Sequence, residues 1–260
     1  MPRFAANLSW LFTELPFPDR FAAAADAGFK GVEILTPYGH SEAEIAASLD
    51  ETGLELVLLN LPAGDPAKGE RGFAALPGRE DEFAASLETA IRYAQALDCP
   101  RLHCLAGILP PGTDLAAARD TYIRNLRHAA ARADGAGITI LIEPINDRDM
   151  PGYFLNRPSE APTIIEAVDA ANLRLQLDFY HCQVMEGDLA TRLRALAPLI
   201  GHMQIAGVPD RTEPDRGEVN YPYLFDRIDA LGYQGWIGCE YRPAAGTLSG
   251  LGWAERWLGS

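Results

Sequence analysis

Glu143 stands in LIEPI, Asp178 in QLDFY, Gln204 in HMQIA and Glu240 in IGCEY. Each is a side-chain oxygen donor near the C-terminal end of an apolar run. If the runs are neighbouring strands in register, three carboxylates and one amide oxygen meet in a poorly solvated space. Carboxylates crowded together away from water either take up protons or require a cation. A divalent ion answers that need, and an all-oxygen set suits a hard ion, Mg²⁺ or Mn²⁺, better than Zn²⁺. Taken one at a time the residues have plainer explanations. A strand-end glutamate is commonly solvated, Asp178 can cap a following helix, and Gln204 can be a satisfied core amide. Four at similar depth on four successive runs are harder to explain that way.

Other polar residues fall at comparable places. His181 follows Asp178 by three and is placed to polarise a substrate oxygen or to support the carboxylates. Asn60 and His103 end two earlier runs, and His103 reads equally well as a pocket wall or as a buried structural histidine. His202 precedes Gln204 by two, so it shares the same strand face one layer deeper and is read as structural. Arg71 in KGERG, Arg211 in VPDRTEP and Arg242 after Glu240 are arginines near the same mouth. The planar guanidinium fork suits a carboxylate.

The elements that must carry these residues alternate. Apolar runs fall at 3–10, 31–36, 54–62, 101–107, 138–146, 173–181, 202–207 and 236–241. Amphipathic runs follow at 19–28, 41–53, 80–97, 115–137, 159–172, 188–201, 221–232 and 252–259, of which 80–97 and 115–137 are long and Ala-rich. Continuous apolar strands suit a parallel sheet covered on its faces. Eight βα units in a chain of 260 residues predict an α/β fold, a single (β/α)₈ TIM barrel spanning residues 1–260. A doubly wound open sheet is the alternative, but ANLSWLF after the first run is not a glycine-rich phosphate loop. The longest irregular stretch, 63–78, follows the third run and is expected to be a lid over the mouth.

Composition narrows the partners. The net charge is −14 and hydrophobic residues make up 48%. Such an acidic chain, with five histidines and no basic stripe, is not expected to bind nucleic acid or a membrane surface, which argues against a barrel endonuclease. The four cysteines form no C-x-x-C pair, and the N-terminus MPRFAANLSW lacks a signal-peptide core, so a reduced cytoplasmic protein is expected. A homo-oligomer is left open.

The stretches ANLSWLF, NLPAGD with GERG, LIEPIN, LQLDFYHCQ, HMQIAGVPDRTEPDRGEVNY and CEYRP run from residue 5 to 243. Together they resemble the hydroxypyruvate isomerase family, within the xylose isomerase-like barrels. The resemblance implies a divalent metal, Mg²⁺ or Mn²⁺, on Glu143, Asp178, Gln204 and Glu240, with Glu143 and Glu240 as the proton-transfer pair. Sugar 3-epimerases of this scaffold carry histidine where this chain has Gln204. The family match implies a small hydroxy-keto acid as substrate, and the reaction it implies is hydroxypyruvate to 2-hydroxy-3-oxopropanoate through an enediolate. His181 and Arg211 would meet the substrate's oxygens and carboxylate, with Arg71 as a lid contact and His103 and Asn60 on the wall. A 2-oxotetronate isomerase, a ketose 3-epimerase and a keto-inositol dehydratase are the alternatives on the same site, with a non-catalytic binding protein as a further one.

Overall fold

The computed structural model describes residues 1–258. Eight parallel strands close into a barrel in sequence order: β1 (Arg3–Asn7), β2 (Gly31–Ile34), β3 (Glu55–Asn60), β4 (Arg101–His103), β5 (Thr139–Ile142), β6 (Leu173–Asp178), β7 (Ile200–Ile205) and β8 (Trp236–Cys239). β8 pairs with β1, so no sheet edge is left open. Around them lie α1 (Asp19–Asp26), α2 (Glu42–Thr52), α3 (Glu80–Ala96), α4 (Leu115–Asp134), α5 (Ala161–Val168), α6 (Phe179–Met185), α7 (Leu189–Leu196), α8 (Tyr221–Ala230) and α9 (Glu255–Leu258). The (β/α)₈ expectation holds. No helix among the described residues is long and apolar enough to cross a membrane.

Local chemistry sets several boundaries. Ser41 and Glu44 form a reciprocal capping box at the start of α2, and Gly53 ends it in the left-handed conformation. The run 138–146 becomes a strand only as far as Ile142, because Pro144 has no N–H for the ladder. The run 173–181 stops at Asp178, whose carboxylate caps α6 by accepting from the Tyr180 N–H (2.8 Å). Residues 179–181 therefore open a helix rather than finish a strand. The expected helix over 252–259 is divided: the end of a 3-10 segment, Leu248–Ala254, runs directly into α9. Gly259 lies outside the described residues.

The stretch 63–78 is only half lid-like. Residues 65–70 lie largely exposed around a 3-10 turn, Pro66–Lys68. Its second half is tied down: Gly72 bridges Ala106, the Ala75 N–H donates to the Ala106 carbonyl (2.7 Å), and Asn125 donates to the Ala74 carbonyl (2.9 Å). Phe73, Ala74 and Ala75 are buried. Gly72 has φ +102°, and a Cβ there would lie 2.4 Å from the Leu105 carbonyl oxygen. A Gly72→Ala variant is expected to lose on the order of 2 kcal/mol of stability, from left-handed strain plus the clash. Urea unfolding checks this: the midpoint falls with an unchanged slope, whereas an unmoved midpoint would mean that the segment is not pinned.

Strand alternation arranges the barrel interior in layers. A small apolar cluster of Ala5, Val57, Leu58, Leu141 and Trp236 is separate from the main core. Two residues beyond Ala5, Leu141 and Trp236 in the chain stand Asn7, Glu143 and Gly238, and Glu240 follows Gly238 by two. Glu33 of β2 reaches His202 and Gln204 of the non-adjacent strand β7, which only an inward-pointing carboxylate can do.

Candidate active site

Glu143 immediately follows β5 and is buried. Its Oε2 lies 3.5 Å from His103 Nδ1, while its Oε1 has no hydrogen-bond partner. Burial, then the charges of Glu240 and Asp178, push its carboxyl well above the ordinary range, with Arg211 partly offsetting them. Asp178 divides its two oxygens: Oδ1 caps α6, and the buried Oδ2 has no hydrogen-bond partner. Burial raises this carboxyl to about 6, against the pull of Arg211. Glu240, directly after β8, accepts from Arg211 Nη2 at 2.7 Å through Oε1. Burial raises it to about 8, with Arg211 opposing and Asp178 adding to the rise.

His181 lies in the first turn of α6, and its protonation can be read from its partners. The Asp149 N–H donates to Asn146 Oδ1 at 2.8 Å, which fixes the Asn146 amide. The Nδ2 end of that amide then faces His181 Nδ1 at 2.6 Å, and the Asn146 backbone N–H lies 3.4 Å from the same nitrogen. Nδ1 is therefore an acceptor and the proton sits on Nε2. Burial, then Arg211, hold the ring neutral by pushing its pKa well below the usual histidine value. Nε2–H faces the acceptors Asp178 Oδ2 (3.5 Å) and Glu143 Oε1 (4.0 Å), while Arg211 Nη2, itself only a donor, lies 3.4 Å away and makes no hydrogen bond with it. One ligand atom each from Glu143, Asp178 and His181 lies within 4.8 Å of the others, a spacing that could hold a metal ion. The tautomer makes His181 a hydrogen-bond donor in that group rather than a ligand.

Arg211 sits in the loop between β7 and α8 with φ +55°. Its guanidinium lies between the rings of Trp10 (4.7 Å) and Tyr180 (4.9 Å). The loop is anchored at both ends. The Arg211 N–H donates to the Gly207 carbonyl, and the Arg242 N–H to the Arg211 carbonyl, both at 2.8 Å. Its buried Nε has no partner, so one donor of the fork is left over. Burial disfavours its charge, but Glu240, Asp178 and Glu143 more than compensate and raise its pKa.

The structure thus gathers Glu143, Asp178, His181, Arg211 and Glu240. His103 joins from the side: its Nδ1 meets Asn60 Oδ1 at 3.2 Å, and burial, then His202, lower its pKa to about 3. Asn60, neutral His103 and Glu143 therefore form a chain of contacts. Arg71 is not drawn in. Its Nη1 donates to the Glu70 carbonyl (2.6 Å) within its own loop. Gln204 is fully buried, with Nε2 donating to Glu33 Oε2 (2.9 Å) and Oε1 accepting from Gln176 Nε2 (2.7 Å). Glu33, Asn7 and Gln176 form a polar floor that the sequence reading missed. Its one visible signal was a lone glutamate inside GVEIL, the same pattern as LIEPI.

A family model described as the xylose isomerase-like TIM barrel matches residues 21–257. A Cupriavidus necator protein named 2-oxo-tetronate isomerase is 56% identical over all of both chains. An Escherichia coli K12 protein named hydroxypyruvate isomerase is 47% identical, over 98% of this chain and 99% of its own. A crystal structure from Brucella melitensis, described as an AP endonuclease of family 2, superposes with a TM-score of 0.97 at 50% identity, over 99% of each chain.

Proposed function

The chain belongs to the xylose isomerase-like TIM barrel family, and from that premise we propose that it is an isomerase of short hydroxy-2-oxo acids. The observation that carries the reading is the pair Glu143 and Glu240. They leave β5 and β8 as buried carboxyls with raised proton affinity, and Arg211 and His181 stand beside them. The relatives named for hydroxypyruvate and for 2-oxotetronate support a common chemistry, the exchange of a carbonyl and a hydroxyl between C2 and C3.

A divalent ion, Mg²⁺ or Mn²⁺, fits the donor set. Glu143 Oε1 and Asp178 Oδ2 are buried carboxylate oxygens without hydrogen-bond partners, and such atoms are costly unless a cation or a proton satisfies them. Glu143, Asp178, Gln204 and Glu240 would hold it. When bound, the ion would polarise the substrate carbonyl and balance the charge that develops on the two oxygens.

The remaining work falls to side chains. One glutamate, ionised, takes the proton from C3, the other, protonated, returns a proton at C2, and the hydroxyl proton on the C3 oxygen passes to the C2 oxygen, so that carbonyl and hydroxyl change places. In a coupled pair the two states belong to the pair rather than to either residue. His181 Nε2–H donates to the substrate oxygen, and its neutrality lets it do so without adding a fixed positive charge. The Arg211 fork meets the substrate carboxylate through its spare Nε–H. Rigid strands fix the separation of the two glutamates across the reacting carbons. Asn60 and His103 line the wall, and Arg71, half-buried beside the exposed part of 63–78, is the contact this loop would offer.

The substrate-panel test uses Mn²⁺-loaded protein with hydroxypyruvate, 2-oxotetronate, a ketose and an inosose, each followed by product mass. Turnover of the acids at constant mass is expected. The 56% identical relative favours the four-carbon acid as the better substrate. Loss of water would instead identify a dehydratase, and turnover confined to the ketose an epimerase. Arg211→Gln is expected to raise KM for the acid roughly 10–100-fold, the range of a lost charge-assisted hydrogen bond. An unchanged KM would remove Arg211 from the role of carboxylate grip.

A further inference from the structure

Below the site lies a carboxylate that the reaction does not use. Glu33 is fully buried on β2. Its Oε2 accepts from Asn7 Nδ2 and from Gln204 Nε2, both at 2.9 Å, and its Oε1 contacts His202 Nε2. The opposite wall is cut back to admit it. Gly238 lies two residues before Glu240 on β8, and a Cβ there would fall 2.0 Å from Glu33 Oε1 and 2.4 Å from its carboxyl carbon. A glycine in the interior of a strand gives up packing and backbone rigidity, and here the space gained is filled by a carboxylate.

An ionised carboxylate only accepts hydrogen bonds, whereas a primary amide has one donating end and one accepting end. Gln204 must therefore turn its N–H₂ toward Glu33. Its oxygen is left for the other side, where Gln176 Nε2 occupies one lone-pair direction (2.7 Å). Without Glu33 the two ends of the amide are nearly equivalent in size, and half of the orientations present N–H groups where an oxygen is needed.

We propose that Glu33 is a positioning residue. Seated in the notch at Gly238 and held by Asn7 and His202, it fixes the Gln204 amide so that the metal site receives oxygen and not N–H. This rests on the reading above that Gln204 is a metal ligand. A group that orients a ligand commonly changes metal affinity 10–100-fold when it is altered.

The test is Mn²⁺ affinity, read from the electron paramagnetic resonance signal of free Mn²⁺ titrated into metal-free protein. Glu33→Gln is expected to weaken binding about 10–100-fold. In a Gln204→Glu background the same change is expected to leave binding unchanged or to strengthen it. A carboxylate has two equivalent oxygens and needs no orienting, and removal of Glu33 relieves repulsion. A role in folding alone would weaken binding in both backgrounds, and that outcome overturns the proposal, as does an affinity within twofold of the parent for Glu33→Gln. If Glu33→Gln does not fold, Gly238→Ala takes its place, because it keeps the charge but displaces the carboxylate, with the same expected loss and the same overturning result. Gln204→Ala separates the two ideas. Unchanged Mn²⁺ affinity there rejects Gln204 as a ligand, whereas weakened affinity there with none lost in Glu33→Gln rejects only the positioning role.

Discussion

Glu240→Gln is expected to lower kcat by about 10³–10⁴-fold, the upper part of what one positioned acid–base group supplies. The substitution keeps an oxygen and nearly the same shape, so Mn²⁺ should still bind, and the loss then reports proton transfer rather than collapse of the site. Glu143→Gln is expected to cost a similar factor, because residues acting as one unit are not additive. The two variants differ in a half-reaction. In D₂O, exchange of the C3 proton needs only the group that removes it, whereas product needs both groups. The variant that lacks the first base neither exchanges nor forms product, and the variant that lacks the proton donor still exchanges substrate without turnover. Starting from product should reverse the two patterns. If both variants keep kcat within tenfold of the parent, the two-glutamate mechanism is wrong.

Much of this arrangement was legible because the signals are local. The eight apolar runs, the glycine stops and the strand-end polar residues all lie within a few positions of what they determine. The apolar run 173–181 is longer than the strand inside it, because Asp178 does two things at once. One of its oxygens starts α6 and the other faces the mouth, and a run of apolar letters does not display that division. The floor was harder. Period-2 alternation assigns Glu33 and Gly238 to inward faces, but whether they meet depends on how the barrel closes and on the stagger between β2 and β8. That contact spans the interior between non-adjacent strands, so nothing near either residue announces it. His202 is fully buried, but its partner Glu33 is hidden in the sequence for the same reason. The lid expectation for 63–78 rests on its length and its place after the third run, and neither shows that Phe73, Ala74 and Ala75 are buried in it.

Removal of the metal is expected to abolish turnover, and its pH dependence is the more searching test of the site. Glu143, Asp178 and Glu240 all have folded-state proton affinities raised by burial, Asp178 to about 6 and Glu240 to about 8. The metal-free folded chain therefore binds more protons than the unfolded chain between about pH 4 and pH 8. Its stability from these groups is fully present below the unfolded carboxylate values and is lost as pH rises toward the folded ones. The metal-loaded chain runs the other way, because the ion must displace those protons. For a group at about 8, the ionised fraction rises from about 1% at pH 6 to about half at pH 8, so Mn²⁺ affinity should rise roughly fifty-fold from that one proton. Thermal unfolding from pH 5 to 8.5, with chelator and with excess Mn²⁺, should give Tm curves that converge in acid and separate steadily toward base. A constant separation across the range would mean that the ion does not compete with protons for these carboxylates, and that it is held elsewhere.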